Sequence, residues 1–395
     1  MKRILTFVLA FLLMLCCVAC GTLKKVPVVS KYPDYTFTEA PTTDQLRATA
    51  VQAMKDILSI QWHTNVSYTY NKSGPVQKKE FVYEPGKIYA GILYTNANAG
   101  LFQFLEFYNY ETGALEYPDS VNKLKTDLGI SCADAVLWAW ATVCNSVTGP
   151  YYPNKMVQQC GFIPVGEYTY DETLQTFNYY PTLRIIKDNG PEVMARSYAQ
   201  LQLADALVSS TDDHAMMLID APHVEYLTNG KIDTANSYVL IQDQRAGGDA
   251  WKRPDEQGRM LYYCGRLEGK FTFDELLEKN YIPVTAAEFI GEKEYNKATV
   301  TVTRDTAETL ESALGATVES NYPLAVVNLI VNGKVIDREL FSGTPMTGVP
   351  RSFAISNLNA AKAFKNSEYN KAGNTIKIEV VVSTGERFIP IEFTI

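Results

Sequence analysis

The feature that most constrains this chain is an uninterrupted apolar run that begins at a cysteine. Residues 132–144 read CADAVLWAWATVC, and because no Gly or Pro interrupts them they predict a mostly buried helix. Gly129 closes the preceding segment, and Ser131 is a suitable N-cap residue. Cys132 then falls in the first helical turn, where unpaired N–H groups and the helix dipole favour a thiolate. This pattern fits a nucleophilic cysteine, and equally a small apolar residue that helps the helix to pack.

The composition is that of a folded protein and argues against a nucleic-acid partner. Of the 395 residues, 46% are hydrophobic and 20% are charged, and the net charge is −8. No basic run stands out after the N-terminus, so a phosphate backbone has no evident binding surface. No HExxH motif occurs, no CxxC motif occurs after residue 20, and the three histidines lie far apart. The sequence therefore offers no metal site and implies no cofactor.

Residues 1–20 have the pattern of a targeting segment. A positively charged start precedes an apolar stretch over 4–16, which is short for a membrane span. The segment ends in CVACG, where small residues precede Cys20 and a glycine follows it, and this resembles a bacterial lipobox. We therefore expect Cys20 to be lipidated and to anchor the protein to the membrane outside the cytoplasm, with 21–41 as a tether. The alternative is ordinary cleavage near Gly21 and secretion.

Four cysteines remain after the targeting segment. They are Cys132, Cys144, Cys160 and Cys264. Cys132 and Cys144 would lie about 18 Å apart along one continuous helix, so they cannot pair with each other. Pairing of Cys160 with either Cys144 or Cys264 stays open, and these three cysteines are assigned structural roles.

A histidine further along the chain could serve the thiol. His214 stands at the entrance of the apolar segment 214–220, which predicts a short buried strand. A thiol nucleophile needs an imidazole that activates it and later protonates the leaving amine, and the two residues meet in space rather than in sequence. His214 is placed to do this, although a histidine at a loop edge can also have no role. His223 follows in a loop and is expected to be exposed.

A second predicted strand supplies candidates for the residue that orients the imidazole. Residues 237–244 are apolar at first and end in Gln242-Asp243-Gln244. Strand alternation places Gln242 and Gln244 on one face and Asp243 on the other. We favour Gln244 as the third residue because an amide can accept the imidazole N–H without adding charge, and keep Asp243 and Gln242 as alternatives.

The order of these segments resembles the NlpC-type papain-like cysteine peptidases of the bacterial cell envelope. The run at 91–94, Gly-Ile-Leu-Tyr, is similar to their short motif ending in Tyr before the nucleophile. The run at 131–134 stands where they carry Asp-Cys-Ser-Gly, and 203–208 is similar to their Gly-Asp-Leu-Val stretch. The run at 214–216 stands where they have His-Val-Gly. The resemblance covers about residues 85–245, and the chain departs from it around the cysteine and lacks the glycine-rich loop.

The resemblance implies an α+β fold with a papain-like NlpC-type domain and its N-terminal helix over 42–290. From about residue 295 the chain changes to short alternating strands, with Asn332-Gly333 as a strong hairpin signal. These strands predict a separate Ig-like β-sandwich domain over 295–395.

For function, the resemblance implies a cysteine peptidase or amidase that cleaves amide bonds, in peptidoglycan stem peptides or another peptide substrate. Cys132 would be the nucleophile and His214 the base, and Tyr94 and Ser131 would lie near the oxyanion or the substrate. An acyltransferase could use the same pair of residues. The alternative from another class is a non-catalytic, surface-anchored binding or adhesion lipoprotein with the same fold.

Overall fold

A computed structural model gives the fold of the chain. The residues that it describes are 32–73, 78–95, 97–117, 128–148, 162–170, 181–245, 251–303, 310–342, 349–364 and 367–395. The predicted targeting segment 1–20 with Cys20, the first part of the tether, and Cys160 lie outside the described residues. Within the described ranges, no helix combines the length and the apolar character that a membrane crossing requires.

Helices and strands are intermixed in an α+β fold, which confirms the predicted class at that level. The helices are α1 Thr43–Ser59, α2 Leu101–Leu105, α3 Cys132–Trp140, α4 Pro181–Tyr198, α5 Phe273–Glu278, α6 Leu310–Leu314 and α7 Asn359–Ala363, with 3₁₀ turns at Ala287–Ile290 and Ile355–Asn357.

The strands form several sheets. In chain order they are β1 Gln61–His63, β2 Tyr68–Ser73, β3 Lys78–Tyr83, β4 Ile88–Ala90, β5 Ile163–Pro164, β6 Ala206–Ser209, β7 His214–Leu218, β8 Tyr238–Gln244, β9 Lys252–Pro254, β10 Met260–Tyr263, β11 Gly265–Thr272, β12 Ile282–Thr285, β13 Val300–Thr303, β14 Thr317–Ser320, β15 Leu324–Val331, β16 Lys334–Leu340, β17 Ser352–Ala354, β18 Thr375–Val382 and β19 Arg387–Thr394. An antiparallel sheet in the order β11-β8-β7-β6-β12-β5 carries the candidate site, and β1-β4-β10-β9 and β2-β3 form smaller sheets.

Helix α1 lies at the start of the region 42–290, where an N-terminal helix is expected. Thr42 and Gln45 form a reciprocal capping box at its start. Leu46, Met54 and Leu58 are buried on its apolar face. Helix α1 packs against α3 and against β8 and β11, so it covers the sheet beside the candidate site.

The predicted apolar helix is also confirmed as α3, but it ends at Trp140, and residues 141–143 form a turn instead of continuing the helix to Cys144. Ser131 is its N-cap, and its hydroxyl accepts a hydrogen bond from the backbone N–H of Asp134. All nine residues of the helix are buried. The indole N–H groups of Trp138 and Trp140 donate to the backbone carbonyls of Asn98 at 3.0 Å and Ala204 at 2.8 Å. These bonds fix the last turn of the helix against two loops.

The C-terminal part contains two antiparallel sheets, β13-β14-β17 and β16-β15-β18-β19, which share a buried apolar core. The predicted hairpin is confirmed, because Val331 pairs with Lys334 across Asn332-Gly333. Both turn residues have positive φ, 50° and 79°, as a tight two-residue turn requires.

This C-terminal part is attached to the far end of helix α3. The Ser383 hydroxyl donates to the carbonyl of Ala141 at 2.5 Å. The Arg351 guanidinium donates to the carbonyl of Asn145 at 2.6 Å. Both bonds satisfy carbonyl groups at and beyond the helix C-terminus, where the helix itself offers no partner.

Candidate active site

Cys132 occupies the first turn of α3, and the turn before β7 approaches its sulfur. The side chain is almost completely buried, with 3% of the residue exposed. Its Sγ lies 3.8 Å from the backbone carbonyl oxygen of Asp213. Asp213 has a φ of 49°, in the left-handed region that few residues other than glycine adopt. The chain therefore turns sharply just before His214 and brings the start of β7 to the helix N-terminus.

The imidazole of His214 lies between the thiol and a carboxylate. Its Nε2 is 2.6 Å from Oδ2 of Asp243. The charge of Cys132 acts on the ring, and because Nε2 is taken by Asp243, Nδ1 is the ring nitrogen that remains for another partner. Only 12% of the His214 side chain is exposed. The imidazole is thus bonded to the Asp243 carboxylate and interacts electrostatically with the Cys132 thiol.

Two arginines complete the surroundings of Asp243. The Arg245 Nε donates to Asp243 Oδ2 at 2.5 Å. Arg266 donates twice, from Nε to Oδ1 at 2.9 Å and from Nη2 to Oδ2 at 3.1 Å. A buried carboxylate keeps its charge only when opposite charges and donors surround it, and here three groups do so.

These contacts favour the charged forms of both His214 and Asp243. Burial alone lowers the pKa of His214, but the charge of Cys132 and the hydrogen bond with Asp243 raise that pKa to about 9. Burial alone raises the pKa of Asp243, but the bonds with His214 and Arg266 and the charge of Arg245 lower it to about 2. At neutral pH the site therefore holds an imidazolium and a carboxylate, and a thiolate is the counter-ion that fits the free side of the imidazolium.

Asp134 is a second buried carboxyl group, in the first turn of the same helix. The Ser131 hydroxyl donates to its Oδ2, whereas Oδ1 has no hydrogen-bond partner among the described residues. Burial raises the pKa of Asp134 to about 8. The group is therefore mostly protonated at neutral pH, and it places little negative charge beside a thiolate at this helix end.

Tyr281 and Asp212 form a pair next to the turn that approaches the sulfur, and the sequence pattern did not identify them. The Tyr281 hydroxyl donates to Asp212 Oδ2 at 2.6 Å, and Asp212 directly precedes Asp213, whose carbonyl oxygen lies 3.8 Å from the sulfur. Burial raises the pKa of Tyr281 above its ordinary value, and the hydrogen bond with Asp212 and the charges of Asp212 and Cys132 add to the rise. A tyrosine just before a buried strand carries no local signal of such a position.

The preference for Gln244 as the third residue is wrong in geometry, and Asp243 takes that position. Pairing of Met217 with Gln242 sets the register of β7 and β8, so that His214 faces the same side as Asp243. The Gln244 amide donates instead to the carbonyl of Ile92 at 2.8 Å. The Gln242 amide donates to the carbonyl of Val51 in α1 at 3.1 Å. Both amides thus serve packing on the opposite face of the strand.

Tyr94 and Ser131 lie on the chain segments that lead into α3. Tyr94 forms an isolated backbone bridge with Ile130, and its backbone N–H donates to the hydroxyl of Tyr83 at 3.1 Å. The Ser131 hydroxyl is used in capping the helix and in bonding Asp134. Contact of either side chain with an oxyanion or a substrate stays a prediction.

The other two histidines, and the other two cysteines that the structure describes, make their contacts elsewhere. His63 bonds the carbonyl of Thr112, and His223 pairs with Glu225 at 2.9 Å on the surface, as expected. Cys144 and Cys264 are free and buried, so neither forms a disulfide. Burial raises the pKa of Cys264 to about 12.

In the described ranges, no group of three or more His, Cys, Asp or Glu side chains is arranged to hold a metal ion. Comparison of the chain with protein-family models, with curated proteins and with solved structures gives no match in any of the three. The functional interpretation therefore depends on the chemistry of Cys132, His214 and Asp243.

Proposed function

We propose that this protein is a cysteine hydrolase of the cell envelope that cleaves amide bonds. Cys132 is the nucleophile, His214 is the acid and base, and Asp243 orients and charges the imidazole. The observation that supports the proposal is that His214 is bonded to Asp243 and interacts electrostatically with Cys132, the first residue of a buried helix. A thiolate at a helix N-terminus beside an imidazolium is the activated form of a cysteine nucleophile.

In the first half of the reaction, the Cys132 thiolate attacks the acyl carbon of the amide. A C–S bond forms, and the electron pair of the carbonyl π bond moves to its oxygen. As the C–N bond breaks, the His214 imidazolium donates its Nδ1 proton to the leaving nitrogen. An amine departs, the acyl group remains on sulfur as a thioester, and His214 is neutral.

In the second half, neutral His214 takes a proton from a water molecule whose oxygen attacks the thioester carbon. The C–S bond breaks, the sulfur leaves as a thiolate, and the imidazolium is restored beside it. Asp243 holds the ring in one orientation during both halves, and Arg245 and Arg266 keep Asp243 ionised. An amine in place of water would give acyl transfer by the same steps.

We further propose a papain-like NlpC-type fold for the first domain and an Ig-like sandwich for the second, with peptidoglycan stem peptides as the substrate. The motif order at 91–94, 131–134 and 203–216 supports the first, and the lipobox-like segment at Cys20 supports a lipid anchor on the outer side of the membrane. Stem peptides are the amide-bonded material available at that position.

The test is digestion of purified peptidoglycan, with the soluble fragments identified by mass. The unaltered protein and Cys144→Ser should release the same fragments, whereas Cys132→Ser should release none. Equal release by Cys132→Ser would contradict the proposal. If no variant releases fragments but all sediment with the peptidoglycan, the protein is a binding module. Products that carry an added amine would indicate an acyltransferase.

A further inference from the structure

Arg245 has hydrogen-bond donors to spare after its contact with Asp243. Its Nε donates to Asp243, and this is the only side-chain hydrogen bond of Arg245 within the described part of the chain. A guanidinium carries five N–H donors, so an outer edge of the group remains for another partner. Of this side chain, 30% is exposed, which leaves that edge accessible to a small molecule.

The hydrogen bonds of Asp243 place Arg245 beside the imidazole of His214. The Arg245 Nε donates to Asp243 Oδ2, and the same oxygen lies 2.6 Å from Nε2 of His214. On another side, the guanidinium lies 5.7 Å from the ring centroid of Trp251, which is 36% exposed. The guanidinium thus lies between the Asp243–His214 pair and a surface aromatic ring.

Arg266 provides the contrast. It contacts the same carboxylate through two N–H groups in a fork, at 2.9 and 3.1 Å, and its guanidinium lies 5.1 Å from the buried ring of Phe271. Arg245 therefore keeps N–H donors for a further partner, whereas the fork of Arg266 is engaged in holding Asp243.

We infer that Arg245 is a specificity residue that binds a carboxylate of the substrate close to the bond that Cys132 attacks. A guanidinium edge pairs with a carboxylate through two parallel N–H···O bonds, which provide both affinity and orientation. The protein should therefore prefer acidic substrates over their amide counterparts. This inference rests on the proposed reactivity of Cys132, and it adds the chemical class of the substrate.

Alkylation of Cys132 by iodoacetate and by iodoacetamide tests the inference without a known substrate. In each case the sulfur attacks the CH₂ carbon, a C–S bond forms and iodide leaves. Iodoacetate carries a carboxylate at the position where iodoacetamide carries an uncharged amide. The measurement is the ratio of the two rates at Cys132, by peptide mass spectrometry at low ionic strength, because salt screens exposed charges.

The matched variants are Arg245→Gln and Arg266→Gln. Because each removes one cation from Asp243, both can slow the two reagents alike. Arg245→Gln should in addition lower the iodoacetate-to-iodoacetamide ratio about tenfold or more, the value of one charge-assisted hydrogen bond. Arg266→Gln should leave that ratio within about twofold of the unaltered protein. An unchanged ratio in Arg245→Gln, or an equal fall in both variants, would overturn the inference.

A measurement on the unaltered protein makes the test independent of folding of the variants. Acetate should slow alkylation by iodoacetate more than chloride does at matched ionic strength, because acetate competes for the guanidinium. Equal rates in the two salts would overturn the inference. If iodoacetamide labels Cys132 readily while these comparisons fail, only the role of Arg245 is lost. If neither reagent labels Cys132, the proposed function fails with it.

Discussion

Helix α3 begins at Cys132, a second cysteine, Cys144, follows four residues after its end, and the two thiols lie in opposite surroundings. Cys132 is in the first turn, next to the imidazole of His214. Cys144 follows the last turn, where the backbone carbonyls point outward, and it lies next to the carboxylate of Glu288. Both residues are buried. Burial therefore does not distinguish the two thiols. They differ in the sign of the neighbouring charge, which is positive beside Cys132 and negative beside Cys144.

The environment of Cys144 is built to keep it a neutral packing residue. Burial raises its pKa well above the ordinary value, and the charge of Glu288 raises it further. Glu288 in turn accepts a hydrogen bond from the backbone N–H of Ser146 at 2.9 Å, which fixes the carboxylate in place. The two sulfurs thus meet charges of opposite sign, and changing the surroundings of either one tests what that difference does to its reactivity.

The largest effect is expected from removal of the cation beside Cys132. His214→Gln should slow alkylation of Cys132 near pH 6 by about 100-fold or more, because the thiolate loses its counter-ion. Iodoacetamide labelling followed by peptide mass spectrometry measures the rate. His223→Gln is the matched control, since His223 is exposed and pairs with Glu225. Equal rates for the His214 and His223 variants would show that the imidazole does not activate the sulfur.

The next largest effect is expected from replacing Asp243, whose carboxylate favours the protonated form of the imidazole. Asp243→Asn should lower the free energy of unfolding by about 3 kcal/mol, because Arg245, Arg266 and the imidazolium lose a buried counter-charge. It should also lower the pKa of His214, since a hydrogen bond that favours the charged ring is weakened. Urea denaturation and NMR titration measure the two quantities.

The control for this change is Gln244→Met. It removes the bond to the Ile92 carbonyl and should cost about 1 kcal/mol of stability. The pKa of His214 should not change, because Gln244 faces the other side of β8. A larger fall in that pKa with Gln244→Met than with Asp243→Asn would restore Gln244 as the third residue.

A smaller effect is expected on His214 when the sulfur is replaced. Cys132→Ser should lower the pKa of His214 from about 9, because the negative charge of the sulfur is among the causes of the raised value. The chain has three histidines, so their ring resonances can be followed by NMR. Cys144→Ser should leave all three titrations unchanged. An unchanged His214 titration in Cys132→Ser would contradict the pairing.

The raised pKa of His214 also makes the free energy of unfolding depend on pH. His214 has a raised pKa in the folded state, so its contribution is complete below the unfolded value of about 6.5 and is lost as the pH rises through about 9. The free energy of unfolding should therefore fall more between these pH values in the unaltered protein than in His214→Gln. An equal fall in both proteins would mean that the folded state does not hold the imidazolium.

The smallest effect is expected at the other end of α3. Glu288→Gln should lower the free energy of unfolding by about 1 kcal/mol, because the bonds to Ser146 lose their charge assistance. Cys144 should stay unreactive, since burial is the first cause of its raised pKa. Glu292→Gln, at an exposed position, is the control for urea denaturation. Rapid alkylation of Cys144 in Glu288→Gln would show that the carboxylate alone keeps it inert.

The elements that carry the site could be predicted from the sequence. Helix α3 follows from an apolar run with a serine cap, and β7 and β8 follow from short apolar segments that end in polar residues. These patterns are local, and each states which residues must be buried. The positions of Cys132 and His214 at the ends of their elements follow from the same patterns.

The third residue could not be chosen from the sequence, because the choice depends on distant partners. Gln244 was preferred to avoid a buried negative charge. The structure resolves that problem with Arg266, from the neighbouring strand β11, and with Arg245. Which side chains of β8 face His214 also depends on the register between β7 and β8, and no local pattern determines that register. Tyr281 reaches the site for the same non-local reason.

The most direct test of the account is alkylation of the unaltered protein by iodoacetamide near pH 6. The rates at Cys132, Cys144 and Cys264 are read from the same sample by peptide mass spectrometry. The account predicts that Cys132 is labelled at least about 100-fold faster than the other two, because it alone meets a helix N-terminus and an imidazolium. Labelling of Cys132 that becomes appreciable only above about pH 8, at the rate of an ordinary thiol, would contradict it.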